Sequence, residues 1–88
     1  MDPQVTVQQI GNVTLGGVGA RNLTHDGDRL FFTISRGHRK VVITLDGNDT
    51  YHVQTVMIRS GKVVYDVEGI YCDQLAEAVW QSHIEQRA

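Results

Sequence analysis

The feature that most constrains the fold is a pair of alternating apolar segments, LFFTISR at residues 30–36 and RKVVITL at residues 39–45. Only two residues, a glycine and a histidine, separate them, which is the length of a tight hairpin turn. A register shifted by one residue scatters the large side chains over both faces. The sequence therefore predicts a β-hairpin with three apolar pairs on one face: Ile34 with Val41, Phe32 with Ile43 and Leu30 with Leu45.

Two further segments extend this hairpin. YHVQTVMIR at residues 51–59 is apolar on both faces of a strand, and KVVYDVE at residues 62–68 alternates between apolar and polar residues. A turn at Ser60 and Gly61 would join the two as neighbouring antiparallel strands. The sequence thus predicts an antiparallel meander over residues 29–69, with these pairs in its last hairpin: Ile58 with Val63 and Val56 with Tyr65.

The apolar period changes to a helical one near the C-terminus. Asp73 is predicted to cap a helix over residues 72–86 that packs on one face of the sheet. The fold class predicted is α+β, a four- to six-stranded antiparallel sheet (meander) with one C-terminal helix. The apolar stripe of that helix is predicted to contain Cys72, Leu75, Ala76, Val79, Trp80 and His83.

The first 28 residues carry a weaker pattern. VTVQQI and VTL flank Gly11, and the glycine-rich GGVGA that follows disfavours a regular strand. Residues 1–28 are therefore expected to form an N-terminal arm or a weak hairpin. A length of 88 residues leaves room for one domain, which we place over residues 1–88.

The composition indicates the compartment. The single cysteine, Cys72, excludes an internal disulfide and suits a reducing cytoplasm. No apolar run reaches the roughly 20 residues that cross a bilayer, and MDPQVTVQQ lacks the regions of a signal peptide. We expect a soluble cytoplasmic protein without a membrane partner.

Three segments and one cysteine have the residue types of chemical sites, and each favours a structural interpretation. DGNDT at residues 46–50 offers oxygen ligands but misses the calcium-loop spacing, so we expect a turn. HDGD at residues 25–28 is also expected to be a turn, and GGVGAR lacks the GK[ST] of a phosphate loop. Cys72, on the apolar stripe, is expected to be a small buried filler. The chain is therefore predicted to be no enzyme and to hold no metal or cofactor.

The most charged segment is RGHRK, which supplies Arg36, His38, Arg39 and Lys40 at the tip of the predicted hairpin. Residues 21–40 carry five cations against two carboxylates, whereas residues 41–88 carry three against seven. Such a tip grips phosphate or an acidic protein patch, or else its solvated charges only protect a sheet edge. The acidic C-terminal half makes nucleic acid the less favoured partner.

A second candidate surface is the sheet face turned away from the C-terminal helix. Its apolar area is too large to leave in water on so small a domain, so the N-terminal arm, a second copy or another protein must cover it. A homodimer through this face or a sheet edge is one prediction. The apolar residues assigned to this face are Phe31, Val42, Val53, Met57 and Val64. Together the two surfaces give the predicted partner-binding residues: Arg36, His38, Arg39, Lys40, Phe31, Val42 and Met57.

The chain also resembles a family of small uncharacterised proteins of phage and prophage genomes. The resemblance lies in VVITLDGNDTYHV at residues 41–53, IR at residues 58–59 and EGIYCDQL at residues 68–75. These fit a signature of V-x-I-T-L-x-G-x-D-x-Y-x-V, then I-R, then E-G-[IV]-Y-x-D-x-L, and the similarity spans about residues 22–75. It implies a phage origin and a fold, and it names no activity. The matching Asp49, Tyr51, Glu68, Tyr71 and Asp73 have structural explanations as turn, strand pair and helix cap.

These observations together predict a small non-enzymatic phage protein that acts by binding another protein in the host cytoplasm. Inhibition of a host defence complex, as anti-CRISPR proteins achieve, is one concrete form of that function. The alternatives are a structural component of the virion or its assembly, and a nucleic-acid-binding module that uses the basic hairpin tip.

Overall fold

The computed structural model describes residues 2–46 and 49–84. Within these residues three helices and five strands occur, and two single turns of 3₁₀-helix lie at Ser35–Gly37 and Cys72–Gln74. The elements are α1 (Pro3–Ile10), α2 (Asn12–Val18), β1 (Arg21–Asp26), β2 (Arg29–Ile34), β3 (Arg39–Leu45), β4 (Tyr51–Met57), β5 (Val63–Ile70) and α3 (Leu75–Ile84).

The strands form one antiparallel sheet in the order β1-β2-β3-β4-β5, which is a meander. The predicted α+β class, the meander and the C-terminal helix on one face are confirmed. We call the face that carries the helices the inner face. Alternate residues of β2, β3 and β4 point to it and are fully buried in the core, namely Leu30, Phe32, Ile34, Val41, Ile43 and Val53.

No helix among the described residues is long and apolar enough to cross a membrane.

The register of the predicted hairpins differs from the observed one. Phe32 pairs with Val41 rather than Ile43, and Leu30 pairs with Ile43 rather than Leu45. The turn uses four residues, 35–38, because a 3₁₀ turn replaces the predicted two-residue turn. A shift of two residues leaves every side chain on its predicted face, since the side-chain period of a strand is two.

The hairpin of β4 and β5 also departs from its predicted pairing. Val56 lies opposite Val63 and Thr55 opposite Tyr65, with irregularities that shift the register on both sides of the regular stretch. These bulges insert an unpaired residue and cannot be placed from an alternation pattern alone.

Residues 3–18 form helices where the sequence predicts an arm or weak hairpin. Asp2 caps α1, because its side-chain oxygen accepts a hydrogen bond from the Gln4 backbone N–H at 3.0 Å. Gly11 separates the two helices, and Gly19 ends α2 in the left-handed conformation. The alternating VTV favours a weak hairpin or an irregular arm, whereas aspartate followed by proline is a helix-start signal.

Helix α1 is fixed to the sheet by a buried polar contact. The Tyr51 hydroxyl donates to Gln9 Oε1 at 2.7 Å and lies 3.3 Å from Thr6 Oγ1. Both Thr6 and Tyr51 are buried, so the hydroxyl keeps its hydrogen bonds inside the core. Tyr51 therefore has a structural role.

Helix α3 presents a different stripe from the predicted one. Its buried residues are Leu75, Ala78, Val79 and Ser82, whereas Cys72 and Trp80 are exposed. Asp73 lies in the 3₁₀ turn and is not the N-cap, because the chain enters through Tyr71, whose N–H donates to the Gln74 side chain. The stripe therefore begins at Leu75, one turn after the predicted start. The predicted helix end at residues 85–86 lies outside the described residues.

Trp80 packs over α2 rather than into the sheet. A Cβ atom added to Gly17 would lie 2.9 Å from Cζ3 of the Trp80 ring. Only glycine admits the ring this closely, which explains a glycine inside a helix despite its low helix propensity. Trp80 nevertheless remains 42% exposed.

Candidate functional site

The antiparallel meander places two turns at one end of the sheet. The turn of residues 35–38 joins β2 to β3, and the turn of residues 58–62 joins β4 to β5. The Ile58 backbone N–H donates to the His38 carbonyl at 3.1 Å, so the two turns are in direct contact. The turns after β1 and β3 lie at the opposite end.

The charges of the chain divide between these two ends. Residues 35–40 and 58–62 hold five lysines and arginines and no carboxylate, and Arg21 begins β1 at the same end, so six of the eight cations of the chain gather there. We call this surface the basic end; it consists of Arg21, Arg36, His38, Arg39, Lys40, Arg59 and Lys62. We call the opposite surface the acidic end; it contains Asp26, Asp28, Asp46, Asp49 and Glu68 together with Arg29.

The turn of the basic end has an unusual backbone. Ser35, Arg36 and Gly37 have φ angles of 52°, 57° and 85°, so three consecutive residues are left-handed. For a residue with a Cβ this conformation costs roughly 1–2 kcal/mol. The His38 N–H closes the turn on the Ser35 carbonyl at 3.2 Å. Strain of this kind is concentrated at functional positions, which draws attention to Arg36.

Arg39 and Lys40 point to opposite faces of the sheet, because they are neighbours on one strand. On the inner face the Arg39 Nη1 donates to the Ser82 carbonyl at 3.1 Å, near the C-terminus of α3. A cation satisfies helix carbonyls well at this position. On the outer face the Lys40 Nζ lies 4.8 Å from the centre of the Phe31 ring, a cation–π contact. The structure therefore separates these two predicted partner-binding residues.

The apolar outer face is smaller than the sequence predicts. Phe31 and Val42 do lie there, as cross-strand partners, and both are half-buried. Val53, however, is fully buried in the core, and Met57 alternates with the same inner residues of β4. The assignment of Val53 and Met57 to the outer face is therefore wrong. Apolar residues occur on both faces of β4, so only the pairing of β4 with β3 shows which face is buried.

Polar side chains occupy part of the outer face beside these residues. His52 Nε2 donates a hydrogen bond to Asp66 Oδ1, and Gln54 Nε2 donates to Asp66 Oδ2 at 3.3 Å. The hydrogen bond from His52 lowers the pKa of Asp66 below its ordinary value of 3.8. This cluster spans β4 and β5. The outer face is therefore polar over these two strands and apolar around Phe31 on β2.

Two depressions meet at the basic end. One, of about 380 Å³, lies between the two turns and is lined by Gly37, His38, Met57, Ile58 and Arg59. The other, of about 390 Å³, lies on the outer face and is lined by Asn22, Thr24, Phe31, Phe32, Thr33, Lys40 and Ile58. Ile58 lines both, so a single partner surface can reach cationic, aromatic and apolar groups together.

The other candidate segments have structural explanations. HDGD forms the hairpin turn between β1 and β2, as predicted. In DGNDT the Asp46 N–H donates to the Thr50 carbonyl at 2.8 Å, which fits a turn, while Gly47 and Asn48 lie outside the described residues. Cys72 is exposed, so the prediction of a buried filler is wrong. Within residues 2–46 and 49–84 no three His, Cys, Asp or Glu side chains are grouped to hold a metal ion.

The sequence prediction of the basic tip was incomplete. It missed Arg21, Arg59 and Lys62, which are distant in sequence from residues 36–40. A meander places alternate turns at the same end of the sheet, and the predicted strands already implied this arrangement.

Comparison of the chain with protein-family models, with curated proteins and with solved structures finds no match. The site is therefore interpreted from its own geometry.

Proposed function

We propose that this chain is a non-enzymatic binding protein that contacts an acidic surface of another protein through its basic end. The observation that carries the proposal is the gathering of six cations at one end of the sheet, with no carboxylate in the two turns that form its surface. Like charges held side by side by a rigid sheet produce a strong local field, which attracts an oppositely charged surface and orients it.

The net charge of −2 does not oppose this function, because the two ends act separately. The longest dimension of the molecule is 30 Å. Exposed charges are largely screened beyond a Debye length of about 8 Å at physiological ionic strength. A partner at the basic end therefore experiences the local cations far more than the carboxylates at the acidic end.

The biological setting of the proposal rests on the resemblance to phage and prophage proteins. A small stable sheet with one charged contact surface suits an inhibitor that occupies a site on a larger complex, and host defence complexes are the targets we propose, in the host cytoplasm. The absence of a Ser-His-Asp or Cys-His pattern from the sequence supports binding rather than catalysis.

Nucleic acid is the second candidate partner, and one observation favours it. The outer-face depression places the aromatic ring of Phe31 and the ammonium of Lys40 next to the remaining cations. Aromatic stacking beside a cationic surface is the usual means of binding single strands.

The test is a capture experiment with the tagged chain in nuclease-treated host lysate, read by mass spectrometry. The variant K40Q/R59Q/K62Q removes three exposed cations of the basic end. It leaves Arg36, whose backbone is left-handed, and Arg39, which bonds α3. The control R29Q removes an exposed arginine from the acidic end. If each cation contributes about 0.5 kcal/mol, the triple variant loses roughly tenfold in affinity, whereas R29Q retains the wild-type affinity.

Each outcome decides between the candidates. A stoichiometric protein partner that the triple variant loses supports the proposal, and equal capture by the triple variant overturns the role of the basic end. Capture that occurs only in a parallel lysate without nuclease, and that falls steeply with salt, identifies nucleic acid instead. The virion alternative predicts that the chain is abundant in purified phage particles and finds no host partner.

A further inference from the structure

The first strand is an open edge of the sheet. Among the described residues β1 pairs with β2 alone, and all six of its residues are exposed. It carries no proline and no lysine, and its two charged residues, Arg21 and Asp26, have opposite signs, so they need not repel a second copy of the same strand. The other edge strand, β5, is half-buried at four of its eight residues, so β1 is the more exposed edge strand.

The geometry of β1 makes it self-complementary. Thr24 pairs with Phe31, and Arg21 pairs with Thr33. Arg21 is three residues before Thr24, but their partners on β2 are only two residues apart, so β1 has a bulge with one extra residue between them. Asn22, with a φ of 58°, lies in this bulge. Arg21 therefore lies two ladder positions before Thr24, and Asp26 lies two positions after it.

A two-fold axis through Thr24 pairs opposite charges. In an antiparallel pair of β1 strands centred on Thr24, Arg21 of each copy falls opposite the partner's Asp26. Both residues are on the outer face, because their partners on β2, Thr33 and Arg29, are each two residues from Phe31 and point to the same face as Phe31. Opposite charges at facing positions stabilise such a pair. The same axis places the basic end of each sheet beside the acidic end of the other.

The apolar groups beside β1 fit the same arrangement. A groove of about 400 Å³ separates α1 from β1, and its lining includes Val7, Leu23, His25 and Leu30. Leu23 is 43% exposed, and Val5 of α1 is 44% exposed. Pairing around Thr24 places Leu23 next to the partner's His25, at the groove, so each copy covers apolar surface of the other.

We propose that a second copy of this chain pairs with β1 in antiparallel orientation around Thr24 and forms a continuous ten-stranded sheet. The interface is isologous, as expected of a two-fold dimer. It is also short, because the bulge at Asn22 limits the regular ladder, so the dimer dissociates on dilution into the micromolar range. This dimer does not depend on the proposed partner of the basic end.

The first experiment is sedimentation of the purified chain over a range of concentrations. We expect the wild type to convert from a 9.8 kDa monomer to a dimer of twice that mass. R21D and D26R each place like charges opposite one another and should weaken dimerisation about tenfold, whereas R21D/D26R restores the pairing. K40Q/R59Q/K62Q should dimerise as the wild type does, which separates this test from that of the basic end.

A second experiment tests the register directly. T24C in a C72S background places two cysteines across the axis at a separation suited to a disulfide. It should form an intermolecular disulfide much faster than S60C in the same background, since Ser60 lies in an exposed turn away from β1. A monomer at every concentration overturns the proposal, as does a dimer that is indifferent to the charge swap or equal oxidation of T24C and S60C.

Discussion

Replacement of Thr55 by valine should stabilise the protein, although it removes a polar group from a strand. Thr55 lies on the inner face of β4 and has no exposed surface. Its hydroxyl has no hydrogen-bond partner within the described part of the chain. A buried hydroxyl without a partner loses its bonds to water and gains nothing in return. Valine has nearly the same shape and a strand propensity at least as high.

The size of the effect follows from the cost of the buried hydroxyl. Mutational data give about 1–3 kcal/mol for a polar group buried without a partner. We expect Thr55→Val to raise the free energy of unfolding by about 1–2 kcal/mol, because the core relaxes around the original hydroxyl. For a domain of this size each kcal/mol changes Tm by roughly 4–8 °C.

The chain supplies a matched control at Thr6, which is also buried. Its Oγ1 lies 3.3 Å from the Tyr51 hydroxyl and 3.4 Å from the Asp2 carbonyl, so its hydrogen bonds are formed. Threonine and valine have similar helix propensities. Thr6→Val should therefore lower the free energy of unfolding by about 0.5–1.5 kcal/mol.

Urea and thermal unfolding of the two variants and the wild type measure both effects. The same chemical change at two buried threonines should give opposite signs. A destabilised Thr55→Val variant would refute the reasoning, because it would mean that the hydroxyl has a favourable partner in solution. Equal m-values are required for the comparison, since a changed m-value signals a changed denatured state.

Two further changes test the packing and the electrostatics. Gly16→Ala should gain about 0.5–1 kcal/mol in unfolding free energy from helix propensity, whereas Gly17→Ala should gain less and shift the fluorescence of Trp80, because its Cβ would contact the ring. Because the pKa of Asp66 is lowered, its contribution to stability is present above its ordinary value of 3.8 and is lost as the pH falls through the lowered value. The Tm difference between wild type and D66N should therefore shrink over that acid range, and a constant difference would contradict this role of the carboxylate.

The sheet was predictable from the sequence because its strands carry strong local signals. Leu30, Phe32 and Ile34 recur at every second position and short turns follow each strand, so strands β2 to β5, their order and the inner face of β2 and β3 follow from local rules. Strand β1 lies in the segment predicted as an arm or weak hairpin, and the inner face of β4 was not predicted. The register was not predictable, because the turn of residues 35–38 adopts a left-handed conformation at two residues that are not glycine. Serine and arginine rarely adopt a positive φ, so the sequence does not predict this conformation at Ser35 and Arg36.

The N-terminal helices and the stripe of α3 were mispredicted for a related reason. Short helices depend on tertiary contacts more than on propensity, and α1 is held by the hydroxyl of Tyr51, more than 40 residues away. In α3 the exposure of Trp80 follows from its contact with Gly17 of α2. The helical stripe predicts that Trp80 faces the sheet, whereas in the structure Trp80 packs on α2.

The candidate site shows the same division between local and non-local information. The tip of Arg36, His38, Arg39 and Lys40 is visible as a run of cations in the sequence. Its extension to Arg59 and Lys62 depends on the order of the strands, and the removal of Met57 from the outer face depends on their register. The run of cations in the sequence therefore predicts where the site lies, whereas the strand order is needed to identify all of its residues.

The two proposals constrain one another through the segregation of charge. In the antiparallel dimer each basic end lies beside the partner's acidic end. A long polyanion that follows the sheet from one copy to the next would meet alternating attraction and repulsion, because the Debye length is shorter than a single subunit. A compact acidic patch that contacts one basic end avoids this repulsion. If the dimer forms, the basic end should therefore select protein surfaces over extended nucleic acid. D26R, which weakens the dimer and keeps every cation of the basic end, should bind nucleic acid more readily than the wild type does.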